Sequence, residues 1–231
     1  MKIVLDAGHG YSTPGKRTPD GMKEYEFNSV VANYARTELL KYKDVQVLFT
    51  HSDDRDVPLE ERTDKANAWG GEVLVSIHAN AFGNGGWNAA RGIETYSWNG
   101  QSPNGDRLAK AVQNELVKAT GLFNRGHKTA DFHMLREFAK ASCLVECGFM
   151  TNKEEALLLK SDAYRKKCAL GIVDALVSLY ALKKKPEPKP VSKPKGKLYK
   201  VQVGAFGEKQ NADKLAAELK KNGYPVYIVQ E

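Results

Sequence analysis

The chain has 231 residues, of which 42% are hydrophobic and 27% are charged, proportions that are ordinary for a folded globular protein. This length allows one α/β domain of about 150 to 200 residues plus a small second unit. The formal net charge of +7 favours an anionic partner, which the charge alone does not identify as a nucleic acid, a membrane surface or an acidic wall polymer.

Neither a secretory leader nor a membrane span is predicted. The opening sequence MKIVLDAGHG lacks a long apolar stretch, and no run of 18 apolar residues occurs anywhere in the chain. We therefore expect synthesis in the cytoplasm without a signal peptide, no membrane partner, and export by another route if the protein acts outside the cell. Three irregularly spaced cysteines are too few for a disulfide framework.

Strand and helix patterns alternate along the first 182 residues. An apolar strand at residues 3–6 leads into His9, which is flanked by two glycines, and a loop over residues 11–23 is long enough to suggest a functional one. Further strands are predicted at 44–50, 72–77, 92–98 and 142–146, and helices are predicted to begin near Glu24, Pro58, Gly105, Asn152 and Asp162. Residues 121–138 show no regular pattern.

This alternation predicts βαβ units and an α/β fold, an open and mostly parallel twisted sheet with helices on both faces. The composition then changes abruptly to KKKPEPKPVSKPKGK, which cannot form a core and predicts an extended, positively charged linker. Beyond it the pattern reads strand, helix, strand. The predicted organisation is a main α/β domain at 1–182, a linker at 183–197 and a small βαβ module at 198–231.

Four residues fall where an α/β sheet binds ligands. His9 and His78 end predicted strands, Glu146 ends another, and Glu24 begins the helix after the first strand. Because carboxyl ends of parallel strands form the ligand-binding edge, we expect these side chains to meet. Two histidines and one carboxylate leave a fourth position open for water on a catalytic zinc ion, and Glu146 nearby would deprotonate that water.

Other interpretations of these residues remain open at this point. A single histidine at a strand end is more often structural than a ligand, and Glu26 competes with Glu24. Glu146 is harder to dismiss, because a lone carboxylate in an apolar strand is costly to bury without a task. Cys143 and Cys147 point to the opposite face. Surface or loop positions are expected for His51, His127 and His133, and His133 and Arg136 are candidates for lining a substrate groove.

Five sequence blocks carry a specific resemblance: DAGHG, GMKEYEFN, LEERTDKAN, SIHAN and LVECGFMTN. In this order, over about residues 1–180, they resemble the family 3 N-acetylmuramoyl-L-alanine amidases. These are zinc enzymes that cut the amide between the lactyl group of N-acetylmuramic acid and L-alanine in peptidoglycan. The resemblance implies zinc ligands at His9, Glu24 and His78 and a catalytic glutamate at Glu146, and it favours Glu24 over Glu26. It also implies a structural role for Arg62 and Asn67, and Asn80 is expected to help shape the site.

The tail, LYKVQVGAFGEKQNADKLAAELKKNGYPVYIV, is similar to the first half of a sporulation-related (SPOR) peptidoglycan-binding repeat. One half alone would leave strand edges unpaired over a marginal core, so we expect two chains to pair their halves as a homodimer. The lysine-rich linker would add salt-sensitive attraction to anionic wall polymers, although a plain solvated spacer is an equal alternative.

The resulting hypothesis is a zinc-dependent peptidoglycan amidase that lyses cell walls. Production without a signal peptide suits a phage endolysin released through a membrane hole, or a mother-cell lysin freed late in sporulation. A non-catalytic wall-binding protein on the same fold is the alternative. A nucleic-acid binder is less favoured, and no nucleic-acid partner is expected, because the basic residues concentrate in the linker and not on a face.

Overall fold

The computed structural model describes residues 1–13, 16–186 and 201–229, and the chain divides into two compact units, Met1–Lys185 and Pro186–Glu231. Most of the predicted linker, and the outer ends of both predicted tail strands, lie outside the described residues. Among the described residues, no helix combines the length and apolar character needed to cross a membrane.

The first unit contains six strands and six helices among its described residues. The strands are β1 (Lys2–Ala7), β2 (Gln46–Phe49), β3 (Val73–Asn80), β4 (Ile93–Trp98), β5 (Asn124–Ala130) and β6 (Ala141–Phe149). The helices are α1 (Glu24–Leu39), α2 (Leu59–Ala68), α3 (Pro103–Thr120), α4 (His133–Glu137), α5 (Lys153–Lys160) and α6 (Asp162–Tyr180).

The six strands form one sheet in the order β2-β1-β3-β6-β4-β5. All neighbouring pairs are parallel except β4 and β6, which run antiparallel. The predicted α/β class with a mostly parallel sheet is therefore confirmed. Since β1, β3 and β6 lie side by side and run in the same direction, their carboxyl ends meet at one edge.

Helices cover both faces of the sheet. Alternate residues such as Ile3, Val75 and Val145 belong to a large apolar core that includes buried residues of α1, α3 and α6. The other face carries a smaller cluster, in which Val4 and Leu74 join apolar residues of α2 and α4. Because side chains alternate along a strand, Asp6, His78 and Glu146 belong to this second face. The three cysteines are free and buried in the larger core.

The prediction that residues 121–138 lack regular structure is wrong, since this segment contains β5 and α4. The strand NRGHKTA has few apolar residues because β5 is the last strand of the sheet and pairs only with β4. A strand that is paired on one side and incompletely buried does not need the hydrophobic pattern on which its prediction depends.

The helix predicted in the tail is present as α7 (Lys209–Lys221), with Ala216 as its buried residue. The flanking strands of the predicted βαβ module are not formed within residues 201–229. The apolar side chains expected to face a sheet are exposed there: Val201, Val203, Phe206, Tyr224, Tyr227, Ile228 and Val229. A strand needs a neighbour to pair its backbone groups, and one helix does not supply it.

Candidate metal centre

The turn after β1 places His9 in an unusual backbone conformation. Its φ of 65° lies in the left-handed region, which non-glycine residues rarely adopt. Arg62 holds this turn, since its Nη1 donates to the Ala7 carbonyl at 2.7 Å and its Nη2 donates to the His9 carbonyl at 2.5 Å. A Cβ at Gly8 would lie 2.0 Å from the imidazole of His78, so the glycine allows the two histidine rings to approach each other.

Arg62 is itself fixed by a buried ion pair with Asp6 at 2.8 Å, and each side chain is at most 3% exposed. Asp6 also accepts hydrogen bonds from Ser76 and Thr50. Burial alone would raise the pKa of Asp6, but Arg62 and these two hydroxyl groups lower it below the usual value. The ionised Asp6 and Arg62 therefore connect β1 to α2 beneath the His9 turn, which agrees with the structural role expected for Arg62.

Glu24, the first residue of α1, lies between the two histidines. Its Oε2 is 3.0 Å from His9 Nε2, its Oε1 is 2.9 Å from His78 Nδ1, and its side chain is 3% exposed. The backbone N–H of Ala79 also donates to Oε1. The structure thus brings Glu24 to both imidazoles, whereas Glu26 is only partly buried two positions further along the helix.

One nitrogen from each histidine and one oxygen of Glu24 lie within 4.8 Å of one another, which is close enough to hold one metal ion. We call His9, Glu24 and His78 the candidate ligand set. A tetrahedral zinc ion with bonds of about 2.1 Å separates its ligand atoms by about 3.4 Å, so the observed separations suit this donor set. Among the described residues, no other group of three such side chains converges in this way.

The electrostatics of the candidate ligand set favour an ionised carboxylate. Burial would raise the pKa of Glu24, but its hydrogen bonds with His78 and His9 outweigh that effect and lower the pKa to about 2. The same contact with Glu24 raises the pKa of His9. A negatively charged oxygen between two imidazole nitrogens attracts a divalent cation. To bind it, each of the three ligand atoms must present a lone pair and not a proton.

Glu146 lies directly beside this set on β6. In the sheet register it is paired with His78 of β3 on one side and with Glu94 of β4 on the other. Its Oε2 is buried and has no hydrogen-bond partner among the described residues. Burial, together with the nearby charges of Glu24 and Glu94, raises the pKa of Glu146 well above its usual value. A buried carboxyl group left unpartnered is costly and calls for a functional explanation.

Glu94, which the sequence reasoning missed, forms the centre of a polar cluster beside Glu146. Its Oε1 accepts hydrogen bonds from Asn80 at 2.6 Å and Tyr96 at 2.8 Å. Its Oε2 accepts from Arg125 at 2.6 Å and from Lys128. We call these five residues the Glu94 cluster. Burial would raise the pKa of Glu94, but the hydrogen bonds from Lys128 and Arg125 lower it, so the carboxylate is ionised.

The expected contribution of Asn80 to the site is thus a hydrogen bond to Glu94. The sequence does contain a signal for Glu94, because it is a lone carboxylate in the predicted strand GIETYSW, as Glu146 is in its own strand. Its four partners could not be inferred, since they come from β3, β4 and β5, whose spatial order the sequence does not reveal.

The remaining candidates have structural contacts elsewhere. His127 accepts or donates a 2.7 Å hydrogen bond with Ser97, which also bonds to Asp106 of α3, on the face opposite Glu146. His133 contacts the hydroxyl group of an α2 threonine at 3.1 Å. Arg136 pairs with two neighbouring acidic side chains. None of these three residues contributes an atom to the candidate ligand set.

Comparison with known proteins relates both parts of the chain to characterised families. The family model described as N-acetylmuramoyl-L-alanine amidase matches residues 3–178, and the SPOR domain model matches residues 190–231. The chain is 35% identical over 230 residues to the N-acetylmuramoyl-L-alanine amidase CwlM of Bacillus licheniformis. This alignment covers 99% of this chain and 85% of CwlM.

A second relative is the sporulation-specific N-acetylmuramoyl-L-alanine amidase of Bacillus subtilis (strain 168), which is 34% identical over 99% of this chain and 84% of its own length. Among solved structures, the N-acetylmuramoyl-L-alanine amidase from Clostridium difficile 630 superposes with a TM-score of 0.74 at 34% identity. That superposition covers 78% of this chain and 96% of the other, so the similarity in fold is concentrated in the first unit.

Proposed function

This chain belongs to the N-acetylmuramoyl-L-alanine amidase family, a family of hydrolases, and we propose that its first unit cleaves the amide between N-acetylmuramic acid and L-alanine with the help of zinc. The observation that carries the proposal is the convergence of His9, Glu24 and His78 within 4.8 Å, beside the unpartnered carboxyl group of Glu146.

The donor set supports zinc as the metal. Two histidine nitrogens and one carboxylate oxygen form a known catalytic zinc arrangement, which leaves a coordination position open. Zinc bound there would polarise the scissile carbonyl group and lower the pKa of a water molecule to about 7. The buried ion pair of Asp6 and Arg62 stabilises this site, because Arg62 fixes the turn that contains His9.

Glu146 is proposed as the general acid and base. It takes a proton from the attacking water and returns it to the departing nitrogen of L-alanine. Its position next to His78 in the sheet register puts the carboxyl group near the candidate ligand set without making it one of the three converging donors. Burial raises the pKa of Glu146, and a raised pKa favours a carboxyl group that exchanges protons during the reaction.

The decisive experiment is mass spectrometry of purified peptidoglycan after digestion. The account predicts new L-alanine amino termini and glycan strands that keep intact sugars with a free lactyl carboxyl group. Treatment with a chelator should abolish this cleavage, and added zinc should restore it. Cleavage of a glycosidic bond, or of a bond within the peptide, would contradict the proposed reaction.

For the tail, we propose attachment to peptidoglycan, supported by its match to the SPOR domain model. The exposed apolar side chains on either side of α7 support the further proposal that two chains pair their tails as a homodimer. Binding to insoluble walls at rising salt separates specific attachment from linker-driven attraction to anionic polymers. A single monomeric species in light scattering would contradict the dimer.

The biological setting is proposed as lysis of a wall after release from the cell that made the enzyme. The sporulation-specific relative from Bacillus subtilis supports a mother-cell lysin, and a phage endolysin released through a membrane hole is the rival role. Timing of expression distinguishes them, since a mother-cell lysin should accumulate late in sporulation and an endolysin only during phage growth.

A further inference from the structure

The Glu94 cluster contains more positive charge than its carboxylate needs. Arg125 and Lys128 both donate to the same oxygen of Glu94, whereas Asn80 and Tyr96 already satisfy the other oxygen. One cation would neutralise the carboxylate of Glu94, and Arg125 also interacts electrostatically with the nearby carboxyl group of Glu155. Among the described residues Lys128 has no acidic partner other than Glu94, whose oxygen it shares with Arg125, so Lys128 is the cation in excess.

Both cations remain accessible on their outer side. The side chains of Arg125 and Lys128 are 32% and 39% exposed, while Glu94 beneath them is 4% exposed. Lys128 uses one of its three donors on Glu94, and Arg125 Nη2 has no acceptor within hydrogen-bond distance among the described residues. Both partly exposed side chains therefore keep donors that no described residue uses.

Aromatic rings hold the two cations in place. The guanidinium group of Arg125 lies 4.9 Å from the ring centre of Phe149, and Lys128 Nζ lies 5.9 Å from the ring centre of Tyr96. Contacts of this type stabilise a cation over an aromatic face. With Glu94 below them and a ring beside them, the donors are already ordered before any ligand arrives, which reduces the entropy lost on binding.

The position of the cluster relates it to the proposed reaction. Glu94 is paired with Glu146 across neighbouring strands, and Lys128 lies one strand further away on β5. Two strand spacings amount to about 10 Å, which an extended peptide crosses in about three residues. A cationic site at this distance can meet a carboxylate within the first residues of a peptide attached at the scissile amide.

We propose that Arg125 and Lys128 form a subsite for a carboxylate of the peptide stem, with Glu94 as the residue that positions them. The proposal rests on the proposed function, because it takes Glu146 as the point where the muramoyl amide is cut. It adds a specificity: a stem that presents a free carboxylate near its second residue is preferred over the same stem with a carboxamide there.

The test compares two soluble muramoyl peptides that differ in one group, the α-carboxylate or α-carboxamide of a glutamyl residue at the second stem position. The terminal carboxyl group is amidated in both peptides, so that it cannot occupy the subsite. We expect the zinc-loaded wild-type enzyme to show about a tenfold higher kcat/KM for the carboxylate peptide, the effect of one charged hydrogen bond.

Lys128→Gln should remove most of this preference, because it raises KM for the carboxylate peptide far more than KM for the carboxamide peptide. Lys128→Arg should retain the preference, because it keeps the charge. The matched control is Lys110→Gln, an exposed lysine of α3 on the opposite face, which should leave both rates at the wild-type level.

Equal wild-type rates on the two peptides would overturn the subsite while leaving the amidase reaction intact. Equal slowing of both peptides by Lys128→Gln would also overturn it, because a structural role predicts that result. If the wild-type enzyme cuts neither peptide at the muramoyl amide, the proposed function itself fails, and the subsite falls with it.

Discussion

Glu146 and Glu94 stand opposite each other on β6 and β4, yet their surroundings give them different chemistry. The region around Glu146 holds a carboxyl group with an unpartnered oxygen, next to His78 of the candidate ligand set in the sheet register. The region around Glu94 supplies two cations and two neutral donors to a carboxylate of the same type. Residue identity alone therefore does not assign a role to a buried carboxylate, whereas the number and charge of its partners do.

The largest effect is expected at the candidate ligand set. His78→Ala removes one of three metal donors, so the purified variant should lose stoichiometric zinc and all measurable amide cleavage. Zinc content measured by elemental analysis checks the first result and mass spectrometry of digested walls checks the second. If the His78→Ala enzyme retained both zinc and activity, His78 would not be needed to hold the metal. The region around Glu146 would then no longer differ from the region around Glu94 by its metal site.

Glu146→Gln should separate chemistry from metal binding. The amide keeps the shape of the side chain but cannot carry the proton, so we expect zinc to remain bound and kcat to fall by about 10² to 10⁴-fold. Glu115→Gln, a change at a partly exposed glutamate of α3 that pairs with Lys118, serves as the matched control and should retain wild-type activity. Full activity in Glu146→Gln would show that its unpartnered oxygen has no catalytic role.

Arg62→Lys tests how strongly metal binding depends on the hydrogen bonds from Arg62 that hold the His9 turn. Lysine keeps a charge near Asp6 but cannot reproduce the forked donation to the carbonyls of Ala7 and His9. We expect about a tenfold loss in zinc affinity, as for other groups that orient a metal ligand, with activity recovered at high zinc. Competition with a chromogenic chelator measures this affinity, and an unchanged value would contradict the role of the turn.

The smallest effect is expected in the second region. Glu94→Gln leaves Arg125 and Lys128 without their anionic partner, but both side chains can hydrate because they are about a third exposed. We expect the free energy of unfolding in urea to fall by about 1 to 2 kcal/mol, with much of the activity retained. A loss of activity as large as that of Glu146→Gln would mean that both carboxylates act in the reaction.

The sequence predicted the features that depend on local pattern. Apolar strands followed by His9 and His78, and a helix opened by Glu24, are visible along the chain, and parallel topology then brings their ends together. The antiparallel insertion of β4 between β6 and β5 has no such local signature. The partners of Glu94 depend on that insertion, so they could not be predicted.

Two further features escaped prediction for physical reasons. The polar strand β5 occupies the end of the sheet, where hydrophobic alternation is weak. The left-handed conformation of His9 depends on donors from Arg62, a residue 53 positions away, so no property of the DAGHG motif reveals it. In the tail, the amphipathic helix was predictable because its pattern is local, while strand formation there requires a pairing partner.

The most direct test of the central claim is a crystal structure of the zinc-loaded protein with the ion located by anomalous scattering. The account predicts one ion bonded to His9, Glu24 and His78 at about 2.0 to 2.2 Å, with the Glu146 carboxyl group facing it and not bonded to it. An ion bound at a different place, or one for which Glu146 replaces a member of the candidate ligand set, would contradict the account.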